Sequence, residues 1–124
     1  MRYKSISALI LGLFASCVTP LPQDQITVIQ KWTGRIEAVA SDLSELSPSE
    51  DTRKWAGLIK THLQEVSQAL ATGQLQSVGG ILDEIVKLKP TIMNSLKEQG
   101  VKSEDLLVWS LAFNLAIDGL RDAL

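Results

Sequence analysis

The chain predicts an all-α protein, a small antiparallel bundle of four to five helices. Two observations carry this expectation. From Ile29 onward apolar residues recur at steps of three and four, the period of helices with one face turned inward. Serine, proline and glycine break that period at Ser47-Pro48-Ser49, Gly73 and Gly100, where helices stop and restart. Several apolar faces joined by short turns, in a chain of 124 residues, bury those faces by folding helix back on helix.

Taken in order, the chain opens on a basic head, Met1-Arg2-Tyr3-Lys4. An apolar run from Ile6 to Ala15 follows, then Ser16 and the only cysteine, Cys17. A basic head, a short apolar run and small residues before a cut form the pattern of an export signal. Phe14-Ala15-Ser16-Cys17 resembles the lipobox of bacterial lipoproteins, with Phe14 where an aliphatic residue is usual. The resemblance covers residues 1–17 and marks a class, with no family for the rest of the chain. It implies cleavage between Ser16 and Cys17 and acylation of the Cys17 thiol, so that the first partner is a membrane. Val18 follows the cysteine, where an aspartate favours inner-membrane retention in Gram-negative lipoproteins. The resemblance thus implies the cell envelope, and in a Gram-negative source the outer membrane facing the periplasm. Two other readings stay open: cleavage after Cys17, which releases a secreted domain, and an uncut anchor. The apolar run falls well short of the ~20 residues a spanning helix needs, which leaves the uncut anchor weakest.

A lone thiol in an exported protein is unusual, since such chains pair their cysteines or avoid them. Acylation removes the anomaly. Each buried methylene contributes ~0.8 kcal/mol, and one acyl chain anchors only marginally; a lipoprotein-type cysteine carries two or three. The expected organisation is a signal peptide at residues 1–16, a lipidated cysteine with a proline-stiffened tether at 17–23, and the bundle at 24–124. At ~3.1 Å per residue the tether reaches about 20 Å. Losing residues 1–16 removes Arg2 and Lys4, so twelve basic side chains become ten against fourteen acidic ones, and the net charge moves from −2 to −4. That acidity argues against nucleic acid, which requires a basic face, and against docking on anionic lipid.

The first helix is expected from Asp24, with Ile29, Trp32, Ile36, Val39, Leu43 and Leu46 as its apolar stripe. Ser47-Pro48-Ser49-Glu50 fits a capping box with Ser47 as cap and Pro48 at the first helical position. A second helix should run from Pro48 to about Thr72, burying Trp55, Leu58, Ile59, Leu63, Val66 and Leu70. A third stretch, Gln74 to Gln99, keeps the period through Leu75, Val78, Leu82, Ile85, Ile92 and Leu96. Within it, Pro90 predicts a kink or a division into two helices, while Gly79-Gly80 marks either a close helix approach or a loose first turn. After Gly100, Ser103 is a credible cap for a last helix reaching about Asp122. That helix is apolar nearly all round, from Leu106 to Ile117, with Ser110, Asn114, Asp118 and Asp122 as one thin polar line. Such a helix is expected at the centre of the bundle, or with its surplus face on another subunit or a lipid.

Recognisable chemistry is lacking. The chain has one histidine, His62, and one cysteine, which excludes a Cys–His nucleophile pair beyond the anchor and the familiar zinc clusters. It has no HExxH sequence and no phosphate-cradling glycine loop. Asp83-Glu84 and Glu104-Asp105 are neighbours in sequence and point apart on a helix. No metal, cofactor or catalytic activity is therefore expected. His62 reads as a boundary residue with a bonded ring. Trp32, Trp55 and Trp109 read as core anchors, or as a partner-binding patch if exposed. Asn114 reads as the polar edge of the last helix, or as a residue gripping a ligand or fixing subunit register.

Together these features lead to a non-enzymatic, membrane-tethered lipoprotein that binds an envelope protein in an accessory, assembly or inhibitory role. The alternatives are a lipid- or small-molecule-binding bundle, a secreted interaction domain, and a homo-oligomer joined through the apolar last helix.

Overall fold

The computed structural model describes residues 22–124. The predicted signal, Ser16 and Cys17 lie outside the described residues. Among the described residues there are four helices: α1 (Gln23–Leu46), α2 (Glu50–Ala71), α3 (Gln76–Glu98) and α4 (Ser103–Ala123). They contain 24, 22, 23 and 21 residues, so each is about 31–36 Å long at 1.5 Å per residue. Near-equal lengths let each helix cover its neighbours from end to end. In chain order they form a closed square, α1 against α2 and α4, α3 against α2 and, more lightly, α4. This is the all-α antiparallel bundle, in its four-helix form.

The turns explain the boundaries. Ser47, restrained by the proline after it, adopts an extended conformation (φ −156°, ψ 102°) and closes α1 by donating to the Leu43 carbonyl. The cap of α2 is Ser49, two residues later than expected, whose Oγ accepts from the Thr52 amide at 3.1 Å. Ser47 is thus the stop of one helix rather than the start of the next. At the far ends of α2 and α3 the chain turns through Gly73 (φ +73°) and Gly100 (φ +88°). In both, the amide after the glycine reaches back five residues: Gln74 to Ala69 at 2.8 Å and Val101 to Leu96 at 3.0 Å. Those paired bonds form a Schellman motif, which needs the left-handed conformation that glycine adopts without strain.

For the third helix the structure removes one of each pair of expected alternatives, and for the fourth it corrects the expectation. The helix α3 is not divided at Pro90, whose ring faces solvent, where water can meet the carbonyl that loses its partner. Gly79 and Gly80 allow no close approach, since a Cβ at either would meet nothing within 4 Å. The last helix is not central. It occupies one corner of the square and buries Leu106, Trp109, Phe113, Ala116, Ile117 and Leu120, while Leu107, Val108, Leu111 and Leu115 face outward.

The core joins one stripe from each helix, including Ile29, Ile36 and Leu43, Ile59 and Val66, Leu82, Ile85 and Ile92, and Phe113. Among the described residues, every member lies between Ile29 and Leu120. Leu58 is a smaller correction: it sits at the edge of the α2 stripe and is 37% exposed, while Thr52, Ala56 and Ala69 are buried. The Thr52 hydroxyl lies 2.8 Å from Ser49 Oγ and donates to Gln99 Oε1 at 3.4 Å. Ser47 also donates to Gln99 Oε1, which ties the α1–α2 turn to the end of α3.

Because Gly79 and Gly80 have open space and right-handed backbone, alanine at either should stabilise the protein by about 0.5–1 kcal/mol. Urea unfolding of Gly79→Ala and Gly80→Ala, read as a raised midpoint at unchanged slope, measures this. A lowered midpoint would show that the glycines serve a packing role.

Candidate interaction surface

The outward face of α4 is the least ordinary surface of the bundle. Leu107, Val108, Leu111 and Leu115 are 59%, 67%, 59% and 63% exposed. At 100° per residue they share one side, opposite Trp109 and Phe113, and the stripe from Leu107 to Leu115 is about 12 Å long. The only other large apolar side chains exposed among the described residues are Val28, Leu58 and Leu124, scattered and more covered. Scattered exposed apolar residues are normal, whereas a contiguous patch marks a contact site.

The stripe is capped by acid at its two ends, while Arg35, in a cleft with Leu115, and Lys89, bonded to Asn114, lie along its flanks. Following it along the helix gives Glu104, then the four apolar residues, then Asp118 and Asp122, all near one line. Beside Val108, where α4 meets α1, lies an open groove of about 410 Å³. Leu46, Val108, Trp109 and Ala112 make its apolar floor, and Asp42, Glu45 and Asp105 its rim. Among the described residues the salt bridges are His62–Glu65, Glu84–Lys87 and Asp83–Arg121. The carboxylates around the stripe therefore carry no ion pair within the bundle.

The α1–α4 seam holds this surface in place. Trp109, 3% exposed, donates its indole N–H to the Val39 carbonyl at 2.9 Å and stacks on Phe113 with ring centroids 5.2 Å apart. Further along, the Trp32 ring lies flat against Gly119, where a Cβ would stand only 2.6 Å from Cε2. Lys31 Nζ and Arg35 Cζ each lie 5.4 Å from the centroid of that ring. Gln25 Nε2 donates to the Ala123 carbonyl at 3.1 Å, closing the seam where α1 starts and α4 ends.

The sequence-predicted residues are not gathered into one site. Trp109 is a core anchor, and Trp32 a half-buried anchor of the seam. Trp55, on α2, is half-buried under Lys54, with its indole N–H shielded and without a partner among the described residues. Asn114 is exposed and accepts from Lys89 Nζ at 2.9 Å, a polar edge of α4 beside the stripe. His62 is a half-buried boundary residue, its Nδ1 3.0 Å from Glu65 Oε1. Sequence reasoning placed this helix at the centre first and gave its surplus face to another subunit or a lipid as the alternative, without saying which four residues would turn outward. The signal was present in the surplus of apolar positions over what one stripe requires. No protein-family model, curated protein or solved structure matches the chain.

Substitutions along the seam and the stripe should behave oppositely. Gly119→Ala forces the Trp32 ring off its seat and should cost about 1–3 kcal/mol. Trp109→Phe removes a buried hydrogen bond and fills the core less well, with a similar expected loss of about 1–3 kcal/mol. Leu111→Ser touches no core residue and should stay within about 0.5 kcal/mol of the parent. Thermal and denaturant unfolding of the three variants distinguishes seam from surface.

Proposed function

We propose that the protein is a membrane-anchored lipoprotein of the bacterial cell envelope. In this reading it acts by binding another protein beside the membrane, in an accessory, assembly or inhibitory role, rather than by catalysis. The observation that carries the anchor is the placement of the only cysteine directly after Phe14-Ala15-Ser16, at the end of the apolar run. The observation that supports binding is the uncovered apolar stripe on α4. Anchoring through Cys17 also accords with the helices, since no described helix is long and apolar enough to cross a membrane.

The first turn of α1 follows the tether directly and sits beside the last turn of α4. Under the proposal, the Asp118–Asp122 end of the stripe is therefore the end nearest the bilayer. A tether of about 20 Å keeps that end close to membrane-embedded or membrane-associated partners. The alternative of a ligand held inside the bundle has less support. Its central positions are filled by Ile, Leu, Val, Phe and Trp side chains, and the clefts lie along the helix seams and open outward.

Metabolic labelling with radioactive palmitate tests the anchor. The parent chain should carry label and sediment with membranes; Cys17→Ala should lose both. An unlabelled parent, or an intact mass corresponding to a free thiol, rejects acylation.

A further inference from the structure

We infer that the outer face of α4 docks one amphipathic helix of a partner protein, apolar along its middle and carrying Lys or Arg near both ends. The inference rests on the binding role proposed above and adds the chemistry of the partner. Three features of the surface specify it: its shape, its charge and its surroundings.

The apolar part is a single stripe, two helical turns long and one side chain wide at each level. That shape fits the ridge of one helix, with large apolar residues spaced three and four apart. It is small for a folded domain, whose stable interfaces bury on the order of 1,200–2,000 Å². The adjoining groove between α1 and α4 offers an apolar floor of Leu46, Val108, Trp109 and Ala112 into which one further side chain can reach.

Charge selects the occupant. Glu104 and Asp118 bracket the stripe fourteen residues apart in the sequence, about 21 Å along the helix. The groove adds Asp42, Glu45 and Asp105 at the Glu104 end, which makes that end the more acidic, since Arg35 lines the cleft beside Leu115 toward the other. A second copy of this chain is a poor match. Antiparallel pairing about a two-fold axis at Leu111 sets each Glu104 against the other copy's Asp118, and parallel pairing sets each carboxylate against itself. Like charges placed so close oppose association. An anionic lipid surface is repelled for the same reason. A helix with cations spaced to meet both ends is attracted, and its apolar middle covers the leucines.

The test uses the full chain and a synthetic helical peptide of about eighteen residues. The peptide carries leucines at helical spacing between lysine pairs near its ends, and a second peptide has glutamate in place of each lysine. Fluorescence anisotropy should give a Kd on the order of tens of micromolar for the lysine peptide, weakening as salt rises from about 50 to 500 mM. The glutamate peptide should not bind. Leu111→Ser, Leu115→Ser and the double change Glu45→Lys/Asp105→Lys should each weaken binding about tenfold or more. Leu58→Ser, on another helix, should bind as the parent does. Thermal unfolding of each variant confirms that it is folded.

Binding that ignores the stripe variants overturns the inference, as does equal binding of the glutamate peptide. Sedimentation showing a dimer that Leu111→Ser dissociates would assign the face to a second copy. Partition into vesicles of phosphatidylcholine and phosphatidylglycerol, lost in Leu111→Ser, would assign it to lipid. Amide protection of Leu107–Leu115 in the monomeric full chain without peptide would assign it to the chain's own first residues. Each of these outcomes rejects a basic partner helix while leaving palmitate labelling of Cys17 as a separate result.

Discussion

Each helix of a four-membered square lies against two neighbours and one shared core, so it can bury only the arc that faces inward. Three of the helices have apolar content that matches this arc. The fourth exceeds it, carrying Leu107, Val108, Leu111 and Leu115 in addition to its core stripe. No position in a square surrounds a helix on all sides, and the surplus is left at the surface. The candidate interaction surface follows from this mismatch between what one helix carries and what four helices can cover.

The mismatch matters only because the α1–α4 seam fixes which side of α4 turns out. Trp109 reaches across to the Val39 carbonyl, and the Trp32 ring occupies the space that Gly119 leaves open. These contacts lie on the opposite and adjoining sides of α4 from the leucine stripe. Rotating α4 to bury its leucines would withdraw Trp109 and Phe113 from the core and give up the bond to the Val39 carbonyl. Burying one such side chain is worth about 1.5–3 kcal/mol, and such a hydrogen bond contributes about 0.5–1.5 kcal/mol net. The aromatic residues, larger and partnered, hold the register, and the leucines stay outside.

Much of the fold was legible from residue order. The stripes Ile29–Leu43, Ile59–Val66 and Val78–Leu96 are buried as the period predicts, because in an amphipathic helix only one rotation satisfies the pattern. Gly73 and Gly100 end their helices as expected, because the left-handed conformation at a helix end is a local requirement. Errors arose where two local signals competed. Ser47 and Ser49 both suit a cap, and the proline between them, which favours extended backbone at Ser47, settles the choice. Pro90 forfeits one hydrogen bond, yet its exposed position and the packing of Ile85 and Ile92 on either side keep the helix whole. Gly79 and Gly80 were ambiguous because a sequence does not say whether a neighbour comes close.

Residue order alone established the helices, their inward stripes, their turns and the cysteine at the end of an apolar run, all set by neighbours a few positions apart. Folding in three dimensions chose the number of helices, the corner that α4 occupies and the pairing of Trp32 with Gly119. It also converted a helix expected at the centre into one wall of a square, with an acid-capped apolar face outward. Periodicity measures how much apolar surface a helix has; how much of it is covered depends on how many neighbours it meets, and those contacts join residues far apart in the chain.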